Sequence, residues 1–285
     1  MGQLLQSVFS GLALGALFAI VGIGFVIIHR VTGGINLAQG ALAVLGAYLM
    51  SSLAGRLPWA GALVLSATVA ALVGAVVGLA VISARNTREY SPIIMTLGIA
   101  IASQGMFILI WGDLPHSYPP VSSEAIEVAG AFVLPQQLLL LVTVLVLFVL
   151  LQAFFSRAYL GKALTAAALN PHSAQLVGVD LVKMGTVAFA VSGFIAGISG
   201  AIFGALVPVT PHSHLGLAVA GFAAAVLGNL YSPASTLVGG LLLGQLTSAA
   251  ATYGLPEYQQ VVALVVLVLV LLTRTLWLRR GGVLT

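Results

Sequence analysis

The sequence has no cysteine, which excludes disulfides, thiolate metal sites and cysteine nucleophiles. Charge is nearly as scarce: 6% of the 285 residues are Asp, Glu, Lys or Arg, against 60% that are apolar. A soluble domain of this composition would lack the polar surface to cover itself, so lipid is the solvent for most of the chain. The six acids all lie in connections or at the ends of apolar runs. Proton- and sodium-coupled carriers commonly retain a carboxylate inside the membrane, so this distribution counts against such an engine; carriers built on backbone carbonyls alone stay open. No G-x-x-x-x-G-K-[ST] phosphate loop occurs, because Gly161-Lys162 is followed by Ala163 and lacks the upstream glycine, so the chain cannot power itself with ATP. The net charge of +4 does not point to nucleic acid, since the basic residues stand singly in short connections.

What the sequence has in abundance is long apolar runs. A bilayer core needs about 20 apolar residues per helix, and barrel strands would alternate over ~10 residues instead. The pattern predicts an all-α, polytopic bundle with nine candidate spans, the pair near 216–253 making the count eight or nine. They cover residues 5–28, 35–53, 59–82, 92–111, 135–155, 184–207, 216–230, 234–253 and 258–274. Met1 to Ser10 lacks the basic region of a signal peptide and reads as the start of the first permanent span. With the N-terminus outside, Arg30, Arg85, Arg88, Arg157, Lys162, Lys183, Arg274, Arg279 and Arg280 fall on the cytoplasmic side and Arg56 alone falls outside. Asp113, Glu124, Glu127 and Glu257 then lie externally, and the C-terminus is cytoplasmic. The whole of 1–285 reads as one transmembrane domain. Its longest external connection, Gly112 to Leu134, reads either as a partner-receiving face or as a solvated loop.

Small residues form stripes. Gly193, Gly197, Gly200 and Gly204 share a helical face, as do Thr236, Gly240, Gly244 and Ser248, and Gly11, Gly15 and Gly22 with Ala19. Helix packing at close range is the expected role. Ser199 within Gly197-Ile198-Ser199-Gly200 invites comparison with intramembrane serine proteases, but no later predicted span contains the histidine base that chemistry requires. His212 and His214 form an H-x-H pair without further ligands nearby, so no metal site is expected. His29 and Arg30 suit a cytoplasmic anchor.

The connection from Ser156 to Lys183 is too polar to cross lipid yet reads as helix. Leu160, Leu164 and Ala167 repeat on one face; then Asn170 suits an N-cap, Pro171 the first helical position and Gly178 the C-terminal cap, bounding a second helix of about two turns. Caps and spacing leave two readings, a docking knob for a separate ATPase or an ordinary interfacial connection.

Gly33-Gly34-Ile35-Asn36-Leu37-Ala38-Gln39-Gly40 resembles the G-x-I-N-F-A-H-G-E signature of branched-chain amino acid ABC transporter permeases. Gly161-Lys162-Ala163-Leu164, with Asn170, Ala174 and Leu176-Val177-Gly178, is similar to that family's G-R/K-A-x-R-A cytoplasmic segment. Phe222 to Gly228, Gly239 to Gly244 and the final apolar run match in the same order. The resemblance implies an inner-membrane permease subunit that forms half of a translocation pathway. It also implies a second permease, identical or homologous, two cytosolic ATPases that hold ATP and Mg, and an external solute-binding protein. On that basis Gly161, Lys162, Ala163, Leu164, Asn170, Pro171, Ala174 and Gly178 are candidates for ATPase coupling. Asn36, Gln39, Gly40, Thr96 and Gln104 are candidates for lining the route, with interhelical hydrogen bonding as their alternative. Gln39 and Ala41 stand where the family usually has His and Glu, which leaves the solute open: branched-chain or other amino acids, urea, amides or another small polar molecule. A passive channel is the competing function; it would need no docking segment.

Overall fold

The computed structural model describes residues 2–84, 92–122, 124–128, 130–253 and 259–281, with side chains of the last helix described over 261–272. The elements are α1 (Gly2–Thr32), α2 (Gln39–Leu53), α3 (Trp59–Ala84), α4 (Pro92–Trp111), β1 (Ile126–Val128), β2 (Ala131–Val133), α5 (Pro135–Arg157), α6 (Tyr159–Leu169), α7 (Pro171–Leu176), α8 (Leu181–Phe203), α9 (Ser213–Leu227), α10 (Pro233–Thr252) and α11 (Gln259–Gly281). Among the described residues, α1, α3, α4, α5, α8 and α10 are long and apolar enough to cross a membrane; α2, α9 and the 261–272 part of α11 are shorter apolar helices. Every expected span thus has a helix, but the expected span at 35–53 begins as helix only at Gln39, and that at 216–230 begins three residues early at Ser213. The antiparallel pair β1–β2 was not expected; it sits inside the long 112–134 connection, with Ile126 opposite Val133.

Helix pairing follows the small residues. The two most extensive pairings are α3 with α8 and α1 with α10. Gly193 and Gly197 face Ala70 across the first, and Gly240 and Gly244 face Ala19 and Gly15 across the second. A Cβ on any of these glycines would overlap the neighbouring backbone or methyl group, so the absent side chain is what lets the axes approach. Gly200 lies against the Ala43 carbonyl of α2, and Gly204 meets Ala47 and Tyr118, so all four members of the α8 stripe lie against neighbouring segments.

These pairings expose an internal symmetry. Exchanging α1–α4 with α8–α11 converts α3·α8 into α10·α1, α2·α8 into α9·α1, and α2·α3 into α9·α10. Both α2 and α9 have 15 residues, and each is followed by a five-residue connection, 54–58 and 228–232. α1 ends where His29, Arg30 and the start of α8 line one cavity, so α1 and α8 run in opposite directions and the repeat is inverted. Arg30, Arg157, Lys162 and Lys183 gather at this basic end. Arg85, Arg88 and Glu257, part of the expected charge distribution, lie outside the described residues.

Candidate functional site

Each half contains a non-helical break between its first two helices. In the first, Gly33 ends α1 with φ +69°, its amide donating to the His29 carbonyl at 2.8 Å. The chain then runs without helix to Gln39, and its polar groups must be satisfied inside the protein because lipid offers no partners. They are satisfied locally. The Ala38 amide donates to Asn36 Oδ1 at 3.1 Å, and the Leu37 amide to Thr96 Oγ1 at 3.1 Å. Gln39 Nε2 donates to the Ser192 carbonyl at 3.2 Å, and Ser192 Oγ donates back to Gln39 Oε1 at 2.8 Å. Asn36 Nδ2 reaches the same oxygen at 3.4 Å. Gly24 makes the room, since a Cβ there would strike Gln39 Nε2.

Asn36, Gln39, Thr96 and Ser192 are all fully buried, and the side chains of Asn36, Gln39 and Ser192 bond one another. Two of the five expected pathway residues, Asn36 and Gln39, therefore share a hydrogen-bond network with Ser192, which sequence reasoning missed, while Thr96 Oγ1 bonds the backbone of Leu37 and Ile35 in the connection. Gly40 sits against the His214 carbonyl and the Ala218 amide of α9, a close-approach position. Gln104 stands apart: its Nε2 donates to His212 Nδ1 at 2.8 Å, and His212 Nε2 donates to Asp113 Oδ1 at 3.2 Å, toward the end opposite the basic one.

The second break, residues 204–212, repeats the first. The Ser213 amide donates to the Thr210 carbonyl at 3.1 Å, as the Gln39 amide does to that of Asn36 at 3.1 Å, and the two side chains again pair, Thr210 Oγ1 to Ser213 Oγ at 3.0 Å. The 112–134 connection braces this break through reciprocal backbone bonds between His116 and Val209, each 2.9 Å. His214, expected in a loop, lies fully buried in the first turn of α9, where its Nδ1 donates to the Pro211 carbonyl at 2.8 Å. Ser199 Oγ donates to the Ile195 carbonyl at 2.8 Å, so serine and histidine are each engaged elsewhere and no nucleophile–base pair forms. Among the described residues, no group of three His, Asp or Glu side chains is placed to hold a metal.

At the basic end α5, α6, α7 and α8 form a folded projection. Ala158 turns the corner between α5 and α6, and Gly161 in the first turn of α6 lies so close to the Phe154 carbonyl that any Cβ would overlap it. Leu164 and Ala167 bury inward with Gly161; Leu160, expected on that face, is half-exposed. Asn170 Oδ1 accepts from the Ser173 amide at 3.0 Å, Pro171 starts α7 and Gly178 closes it at φ +85°, so the two expected caps and the first-position proline are in place. α7 has six residues, shorter than the two turns expected. Ala174 anchors it, Lys162 is exposed and Ala163 half-buried, while Leu169, Leu176 and Val177 stand 80%, 77% and 78% exposed. Asp180 then caps α8, accepting from the Val182 and Lys183 amides at 2.9 and 3.1 Å. The Lys183 amide, with that of Val182, holds the Asp180 carboxyl below its usual range.

The comparisons with known proteins bear on this arrangement as a whole. The chain is 27% identical over 286 residues to the high-affinity branched-chain amino acid transport system permease protein LivH of Escherichia coli (strain K12), covering 94% of this chain and 92% of that one. It is 26% identical to the corresponding BraD of Pseudomonas aeruginosa, over 95% and 94%. The fructose import permease protein FruF of Bifidobacterium longum is 26% identical over 84% of this chain and 70% of its own. No solved structure matches significantly. The family model described as the permease component of the branched-chain amino acid transport system matches residues 7–271, from the first glycine stripe through both breaks and the projection to the last apolar run, and the chain is a membrane protein belonging to that family.

Proposed function

We propose that this chain is the permease subunit of an ATP-driven importer in a bacterial inner membrane, with its N-terminus outside and its C-terminus cytosolic. It forms half of the translocation pathway beside a second, identical or homologous permease. Two cytosolic ATPases carrying ATP and Mg drive it, and an external binding protein delivers a small polar solute, branched-chain amino acids first among them. The observation that carries this reading is the α6–α7 projection. A capped six-residue helix at the basic end presents Leu169, Leu176 and Val177 to water, and such apolar exposure on a rigid knob calls for a protein groove. The positive-inside rule puts that end in the cytosol, where ATPases reside.

Co-expression with the neighbouring ATPases and purification through a tag on this chain tests the proposal. The ATPases should co-purify with wild type and be lost from a folded variant whose residues 170–178 are a Gly/Ser linker. Failure of any ATPase to bind folded wild type would favour a passive channel. A sugar or other small solute is the second substrate reading, favoured by the FruF likeness. Labelled leucine competed by fructose in uptake assays separates the two.

A further inference from the structure

α1 packs against α2, α5, α6, α8, α9 and α10, so its basic end emerges inside the bundle. Arg30 there is half-buried and lines a vestibule of about 930 Å³. Ser83 at the end of α3, Pro171 at the start of α7, Val182 in the first turn of α8 and Tyr231 between α9 and α10 stand on its other walls. An anchoring arginine would face headgroups at the periphery, whereas this one faces a bowl within the protein. Arg30 forms no ion pair: among the described residues the pairs are Lys183 with Asp180 at 3.5 Å and His212 with Asp113 at 3.2 Å. Asp180, the acid beside the rim, is taken up further by the Val182 and Lys183 amides. His29, on the same wall as Arg30, keeps its Nδ1 buried without a hydrogen-bond partner, and its ring meets Tyr231 edge-on at 5.4 Å.

We infer that this vestibule is a binding site for a phosphate-type oxyanion, carried by an anionic phospholipid headgroup or by soluble phosphate. A half-buried guanidinium with no carboxylate draws an anion, and its fork of N–H donors matches phosphate geometry. Ser83 and Tyr231 add exposed hydroxyls for the remaining oxygens. The volume lies within the range of small-molecule sites, about 300–1,000 Å³, and is far larger than one carboxylate needs. Basic pockets between helices at a membrane face are also where anionic headgroups settle. The site does not depend on the import reading, since neither ATPase nor solute enters the argument. Its occupancy has a structural consequence. Arg30 also lines the crevice under α6, with Phe155, Leu164 and Pro233, so a bound anion ties the end of α1 to the projection.

The purified full chain tests this in two arms. In phosphatidylcholine nanodiscs, equilibrium dialysis at constant ionic strength measures uptake of radiolabelled inorganic phosphate. In nanodiscs that also contain phosphatidylglycerol, native mass spectrometry counts the phosphatidylglycerol retained by the protein. Saturable phosphate binding in the first arm identifies the soluble source, and retained lipid without phosphate binding identifies the headgroup. In either case Arg30→Gln should weaken binding about tenfold or more, the loss of a hydrogen bond to a charged group, and Arg30→Lys should restore part of it. Val182→Trp, which crowds the exposed rim and leaves Arg30 in place, should also weaken binding and serves where Arg30→Gln is not monodisperse. Arg157→Gln, at the same basic end but outside the vestibule lining, should bind as wild type does. The inference is overturned if wild type binds neither probe, if monodisperse Arg30→Gln and Val182→Trp both bind as wild type does, or if Arg157→Gln loses as much as Arg30→Gln. That last result would mean diffuse attraction to a basic surface.

Discussion

Gln39→Leu separates a structural network from a solute-lining residue. Leucine preserves the volume and removes three hydrogen bonds, of 2.8, 3.2 and 3.4 Å. Ser192 has a fallback: its hydroxyl can turn to the carbonyl four residues back, as Ser66 and Ser199 do at 2.8 Å, and its own carbonyl keeps its helical donor. The Asn36 amide has no helical fallback, since it lies in the break. A stranded buried donor costs about 1–3 kcal/mol, and interhelical bonds in membrane proteins average nearer ~0.6 kcal/mol, so the expected loss is about 1–2 kcal/mol. Reversible unfolding in mixed micelles of Gln39→Leu, Ser192→Ala and the double variant should give a coupling of roughly 0.5–1.5 kcal/mol. Uptake per folded molecule should keep its KM. Additive effects on stability together with a shifted KM would refute the reasoning, because Gln39 would then face solute and not Ser192.

Gly200→Val drives a side chain into the Ala43 carbonyl and should lower the yield of monodisperse protein, at a cost of about 1–3 kcal/mol or more, whereas Gly98→Val, with open space around it, should stay within ~0.5 kcal/mol; detergent size-exclusion profiles compare the two. Leu176→Asp with Val177→Asp should abolish ATPase co-purification while leaving the melting midpoint unchanged, since both side chains are exposed. Because the folded Asp180 carboxyl lies below its usual range, its cap contributes fully above the unfolded pKa and is lost as pH falls through the lowered folded value. The melting midpoint of wild type should therefore drop below about pH 4 more steeply than that of Asp180→Ala, which has no cap left to lose.

Long apolar runs made the helices legible, because lipid demands whole helical segments and single residues matter little. The α8 stripe was readable for a related reason, since Gly193, Gly197 and Gly200 can share a face only in a helix. The exact site of the break was not: Ile35 and Leu37 are as apolar as any span residue, and helix is lost there because Asn36 and Thr96 supply local partners that a residue 59 or 61 positions away in sequence does not reveal. Gly40 carries a family signature and so reads as part of the route, although its neighbour is a carbonyl of another helix. The β1–β2 pair is three residues per strand, too short to alternate convincingly. The inverted repeat was hidden because what the halves share is the pairing of their helices, with unequal lengths except in α2 and α9; those equal 15-residue helices and their five-residue connections become visible only once the boundaries are known.

α1 is the most buried of the long helices, and its main partner is α10, more than 200 residues later. At synthesis rates of about 5–20 residues per second, α1 therefore waits in the bilayer for roughly 10–40 s before Gly240 and Gly244 exist. Its mean hydropathy of 2.6 suits that wait, since lipid can solvate every face of it in the meantime. The glycine face of α1 stays unclaimed throughout, so a nascent chain stalled before residue 233 carries its central helix without the partner that completes it.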